Sequence, residues 1–184
     1  MNMQKIRRIC FSVFLVILVI ATVQISVQSF DVVLGEANDQ ALENISRSYL
    51  GANPDVKSIV PAPELALLKV NRGAEAYFVT FVQTLRGIPV FNTSATVLIS
   101  RADDKPKDAM VRLASWHEVL EAKIDAGVAY DIAKAHIKEG TIMPGPKVEQ
   151  TVFISEGLAR ISWMATIPTR APAHTWNMIL DGQT

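Results

Sequence analysis

Cysteine is almost absent from this chain. The one cysteine in 184 residues, Cys10, lies inside an apolar leader. No disulfide can form downstream of it, so the rest must stand on a hydrophobic core or on a partner. Cys10 also precedes most of the apolar run, the wrong order for a lipoprotein cleavage box, and reads as a small apolar residue. An excess of positive charge is missing too. The chain has 18 bases and 18 acids; Lys5, Arg7 and Arg8 form a basic front, leaving 15 bases against 18 acids. That balance excludes a nucleic-acid binder, which needs a basic surface to displace counterions from phosphates. The chain contains no G-x-S-x-G elbow, P-loop, G-x-G-x-x-G or C-x-x-C, so the common signatures of hydrolase, nucleotide and redox chemistry are lacking.

Histidine is scarce, with three in all. The nearest approach to a zinc-peptidase motif is His117-Glu118-Val119-Leu120-Glu121. A zincin needs H-E-x-x-H, because two imidazoles one helical turn apart grip the metal while the glutamate activates water. Glu121 replaces the second histidine, and His136 and His174 have no helical spacing to His117. This segment reads as the exposed start of a linker helix, with Glu118, Glu121 and Lys123 in water. No catalytic, metal or cofactor site is expected. Asp103-Asp104 reads as a charged turn before Lys105-Pro106.

What is present is ordinary globular composition: 49% hydrophobic and 20% charged residues, which suits one or two small domains. The basic front, an apolar run from Ile9 to about Val23, and Val27 and Ser29 at the −3 and −1 positions read as a signal peptide over 1–29, cut after Ser29. An uncleaved signal anchor is the alternative. Either way the remainder lies outside the cytoplasm, and only the N-terminal segment meets a membrane.

The exported part reads as two units of similar grammar, 30–116 and 117–184. In the first, Asn38 is a candidate N-cap, Leu42, Ile45, Tyr49 and Leu50 recur at helical spacing, and Gly51 and Pro54 close the helix. Strands are expected at Leu65 to Val70, through AYFVTFVQT, through VFNTSATVLIS, and through AMVRLASW. Tyr77, Val79 and Phe81 share one face; Phe78, Thr80, Val82 and Thr84 share the other. In the second unit Ala129, Ile132, Ala133 and Ile137 mark a helix beginning near Asp125 and ending at Gly140. Strands follow at VEQTVFI, LARISWMATI and TWNMIL, with a turn around Glu156-Gly157. Trp163 and Trp176 lie on alternating faces of neighbouring strands and read as packing residues. Asp181-Gly182 is a turn dipeptide. The expected class is α+β: two tandem cystatin-like units, each one helix packed on about three antiparallel strands, after the signal segment.

Gln83-Thr84-Leu85-Arg86-Gly87-Ile88-Pro89-Val90-Phe91 resembles the core hairpin of the fungalysin/thermolysin propeptide domain. Gly87 supplies a positive φ for the turn, and Pro89 enters the next strand where a missing N–H is tolerated. Asn92 stands where that family usually has glycine. The second unit is similar to the PepSY domain that follows in such propeptides, through Ala129-Tyr130-Asp131-Ile132-Ala133, Leu158-Ala159 with Trp163, and Trp176 with Asp181. The resemblance implies the pro-region of a secreted zinc metallopeptidase without its peptidase domain: a non-enzymatic module that assists folding of, or inhibits, a thermolysin-type peptidase in trans. It points to the hairpin Arg86 to Phe91 as a docking edge. The alternatives are a truncated product of a metallopeptidase gene and a stand-alone extracytoplasmic binding or inhibitor module.

Overall fold

The computed structural model describes residues 37–183; the signal segment expected over 1–29 lies outside the described residues. Residues Asp39–Thr184 form one compact unit. Helix α1 (Asp39–Ala52) is followed by a one-turn helix α2 (Pro54–Lys57). Strands β1 (Glu64–Arg72), β2 (Ala76–Leu85), β3 (Ile88–Pro89), β4 (Ser94–Ser100) and β5 (Pro106–Arg112) build the first sheet. Strand β6 (Glu118–Leu120), helix α3 (Ala126–His136), and strands β7 (Thr141–Ile142), β8 (Lys147–Ser155), β9 (Leu158–Arg170) and β10 (His174–Leu180) complete the chain.

This is a correction to the α+β expectation. Among the described residues strand makes up 48% and helix 20%, a mostly β fold and not a tandem of two cystatin-like units. Among those residues each sheet has five strands where about three were expected. The missing strands are short. β3 and β7 have two residues each and β6 has three, too few to show an alternating pattern, so only their distant partners make them strands. β6 is also a correction in kind. Glu118 to Leu120 runs extended, parallel to Leu158–Arg160 of β9, rather than starting a helix. Two expected strands are shorter than read. VFNTSATVLIS breaks at Asn92, whose φ is +60°, and the strand through Met110 ends at Arg112.

The longer elements follow from their residues. In α1 the buried stripe is Leu42, Ser46 and Leu50, one face at i, i+4 and i+8. The Ser46 hydroxyl is satisfied by donating to the Leu42 carbonyl at 2.8 Å. Pro54 does more than stop this helix. Asn53 caps α2, accepting from the Asp55 and Val56 N–H groups, with Pro54 at the first helical position, where its missing N–H is not needed. In α3, Asp125 is the N-cap, accepting from the Val128 N–H at 2.9 Å. Its buried residues are Ala129 and Ala133, small enough for close approach to Ala165 and Ile167 of β9.

β2 and β9 are the central strands. β2 lies between β1 and β4 and turns into β3. Its Tyr77, Val79 and Phe81 are buried, with Arg47 of α1 over the Phe81 ring at 5.0 Å. β9 pairs with β8 along most of its length and with β10, β6 and β7 elsewhere. Registers place Trp163 opposite Leu180 and Trp176 opposite Ile167, so both tryptophans project from the same face of the sheet, not from alternating faces. That face packs with α3.

Candidate functional site

The two sheets meet where the hairpin segment crosses from one to the other. Arg86 and Gly87 both take positive φ, 53° and 81°, between the paired residues Leu85 and Ile88. This is the two-residue loop whose twist matches that of the flanking strands. Nothing lies within 4 Å of a Cβ built on Gly87, so the backbone angle alone favours glycine. Glu156 and Gly157 repeat the device between β8 and β9, with φ 53° and 76°.

The residues of the motif divide by role. Gln83 is wholly buried. Its side-chain amide donates to the Ala114 carbonyl and accepts from the Ala114 N–H, both at 2.9 Å. A strand residue thus clips the segment leading from the first sheet to the second. The Val90 N–H donates to the Gln83 carbonyl at 2.8 Å, and the Phe91 N–H donates to the Val152 carbonyl at 2.8 Å. Val90 forms a parallel bridge with Val152, and the Thr151 hydroxyl donates to the Pro89 carbonyl at 3.1 Å. Val90, Trp116, Val152 and Ala159 form a buried cluster against which Leu85 and Ile88 pack. Thr84 is also buried, between Glu64 of β1 and Pro89 of β3. Arg86 is exposed at the turn and pairs with Glu121 at 2.6 Å.

Phe91 is the motif's exception, at 41% exposure. Its ring lies 6.3 Å from that of Phe153 on β8, itself 37% exposed, at an interplanar angle of 38°. Sequence reading did not single out Phe153. Its signal was strand parity: with Val152 inward, its neighbour must face outward.

This pair lies on the faces opposite those that hold α1 and α3. In the first sheet that face carries Phe78, Thr80 and Val82. Register adds Met110, opposite Thr96, which is opposite Thr80. Phe78 is 37% and Met110 70% exposed. In the second sheet Phe153 pairs with Arg160 and Ile179 with Met164. Two open depressions flank Phe91. One of about 250 Å³ is lined by Phe91, Thr93, Arg112, Phe153 and Ile154. The other, about 550 Å³, is lined by Val82 of the first sheet and by Glu149, Thr151 and Met164 of the second. One continuous surface therefore spans both sheets, apolar at its centre with charges beside it.

The remaining motif residues serve the second sheet. Leu158 pairs with Ser155 across the turn and with Glu118. The Trp163 indole N–H donates to the Ile124 carbonyl at 3.0 Å. Trp176 packs on the cluster around Ala133 and Ile167, and its buried indole N–H has no partner among the described residues. Asp181 accepts from Arg160 at 3.1 Å and from the Gln183 N–H at 3.0 Å. Gly182 is locked in place. Its carbonyl accepts from the Lys123 and Ile124 N–H groups, and a Cβ there would come 2.2 Å from the Ile161 carbonyl oxygen. Gln183 donates from its side chain to the Glu121 carbonyl.

Among the described residues, no group of three His, Cys, Asp or Glu side chains is placed to share a metal ion. His117, Glu118 and Glu121 are all exposed. In the turn after β4, hydrogen bonds from Lys107 first and Ser100 second hold the Asp103 carboxyl below the ordinary carboxylate value. No described helix is long and apolar enough to cross a membrane. No protein-family profile matches the chain, and no curated protein matches it in sequence.

Proposed function

We propose that this chain is an exported, non-enzymatic propeptide-type module that assists folding of, or docks on, a thermolysin/fungalysin-type zinc peptidase in trans. The observation that carries the reading is the exposed Phe91–Phe153 pair between two open depressions on a face that both sheets share. Ring pairs of this kind are ordinarily buried, and an exposed one rimmed by polar groups marks a protein contact. The Gln83 to Phe91 segment supports the same reading. It resembles the propeptide hairpin, and here it fixes Val90 inward while turning Phe91 outward.

The mechanism is one of binding. A broad surface with an aromatic centre can hold a partially folded β-rich partner. It would lower the barrier set by contacts between residues distant in sequence. The module needs no reactive group for this. Folding assistance ranks ahead of tight active-site blockade, because the surface is open and shallow rather than a projecting segment that would fill a cleft.

The test is recovery of peptidase activity when a form beginning at Phe30 is mixed with an unfolded thermolysin-type catalytic domain. The expected result is a stoichiometric gain. Inhibition of the folded enzyme without any gain would make the module an inhibitor. No effect on either would overturn the proposal.

A further inference from the structure

The charges near the Phe91–Phe153 pair are of two kinds. Some are matched within the chain. Arg160 is held by Asp181 at 3.1 Å, in a third depression that Phe153 also lines. Arg86 is held by Glu121 at 2.6 Å. Arg112 and Glu149 are not matched. Arg112, at the end of β5, lines the smaller depression beside Phe91, and Glu149 of β8 lines the larger. Both are exposed, and neither makes an ion pair among the described residues. Phe91, Asn92 and Thr93 line both depressions and stand between them. The unmatched cation and the unmatched anion therefore lie on either side of the Phe91 turn. Glu149 and Phe153 share one face of β8, four residues apart, which is about 13 Å along a strand. Lys147 lies next along that face and lines neither depression.

We propose that this face selects its partner by charge. The segment it takes is extended, apolar at its centre, acidic where it meets Arg112 and basic where it meets Glu149. The inference rests on the docking reading above and adds what the docked segment must carry. An apolar side chain seated on the two rings strips water from the depressions beside them. A depression holding a lone charge then becomes unfavourable unless the partner brings the opposite charge. A segment with like charges at both ends matches one side and opposes the other, and like charges brought together are what reject a wrong partner. Arg112 and Glu149 stay partly in water, so the selectivity is modest, up to about fivefold for each match.

The probes are three capped nine-residue peptides with phenylalanine at the centre and serine and threonine spacers. One carries glutamate at one end and lysine at the other, one carries lysine at both ends, and one carries glutamate at both. Binding to the purified chain is followed by NMR shifts over a concentration series. Wild type should prefer the mixed peptide about three- to fivefold over either like-charged one. Arg112→Glu leaves two acids and should move the preference to the lysine peptide. Glu149→Lys leaves two bases and should move it to the glutamate peptide. The double variant Arg112→Glu, Glu149→Lys keeps the net charge and should restore the mixed preference; it decides the matter with the other reversal if one single variant fails to fold. These preferences do not depend on which way round a peptide lies. Lys57→Glu on α2, which changes net charge as much as Arg112→Glu and lines neither depression, should change nothing. Preferences that both reversals leave as in wild type overturn the inference, as does an equal change from Lys57→Glu. If binding is still lost in Phe91→Ser, Phe153→Ser, the docking reading survives that result. Failure of every peptide to bind at about 10 mM, beyond the range of weak specific contacts, also overturns the inference, and refolding then judges the docking reading alone. Binding indifferent to the loss of both rings overturns the two together.

Discussion

Replacing Gln83 with leucine removes two hydrogen bonds at one stroke. The side chain is wholly buried and its amide holds both the N–H and the carbonyl of Ala114. Leucine fills similar space and leaves those two backbone groups without their partner. Each unsatisfied buried group costs about 1–3 kcal/mol. Ala114 is only partly buried, so water recovers some of this, and the expected loss is about 2–3 kcal/mol. With a urea m-value of about 1–3 kcal/mol/M, the midpoint should fall by about 1–2 M. Gln83→Glu makes a sharper test. A carboxylate can still accept from the Ala114 N–H, but it faces the Ala114 carbonyl with no proton to donate. Burial and that carbonyl raise the folded-state pKa of the introduced group above its unfolded value. The penalty is therefore full when the group is ionised above its folded pKa. It shrinks as pH falls and vanishes below the unfolded value of about 4.3. Urea melts from pH 7 down to pH 4 should show Gln83→Glu converging on wild type as the pH drops, while Gln83→Leu keeps a constant deficit. A loss under about 0.5 kcal/mol for leucine, or no convergence for glutamate, would refute the clip.

Three further outcomes are expected. Gly182→Ala should destabilise by about 1–3 kcal/mol, the usual penalty of forced overpacking, because its Cβ would sit 2.2 Å from the Ile161 carbonyl oxygen; a thermal melt within error of wild type would contradict this. Lys107→Met should raise the Asp103 carboxyl toward the ordinary carboxylate range in a carbon-detected NMR titration, with the bonds from Ser100 and the Lys105 N–H still holding part of the depression, since Lys107 is its largest cause. With the folded pKa lowered, any stabilisation from that pair is present above the unfolded value and lost as pH falls through the folded one, so Lys107→Met should flatten stability in that acid window only. Arg86→Ala should cost under about 1 kcal/mol, because its pair with Glu121 is largely exposed and screened; a larger loss in a urea melt would mean the turn depends on that contact.

Much of the strand layout was legible, because β2, β4, β8, β9 and β10 alternate over seven residues or more and parity assigns their faces. Tyr77, Val79 and Phe81 read as sharing one face, and all three are buried. What escaped is what lacks a local period. The two residues of β3 and of β7 are strands only through distant partners, and Glu118–Leu120 looked helical because its charges suited an exposed helix as well as an exposed strand. The class is mostly β even without those short elements, because among the described residues the seven longer strands outweigh the three helices. Within the motif, glycine at 87 announced a turn, but nothing local said that Gln83 would be clipped to Ala114, a contact between residues 31 apart in sequence. The departure at Asn92 has a physical reason. Its φ of +60° lies in the left-handed region, which asparagine tolerates better than most residues other than glycine. Phe153 could be read as outward, but its pairing with Phe91 depends on how the two sheets meet.

The account's central claim is that the Phe91–Phe153 face is where a peptidase partner docks. It is tested most directly by refolding a thermolysin-type catalytic domain with wild type and with Phe91→Ser, Phe153→Ser in parallel. Both side chains are exposed enough that the double variant should keep its fold, checked by circular dichroism. The account predicts that the variant loses most of the recovered activity at equal concentration, with apparent affinity about 10- to 100-fold weaker, the range for losing central aromatic anchors. A folded double variant that restores activity as well as wild type would contradict it.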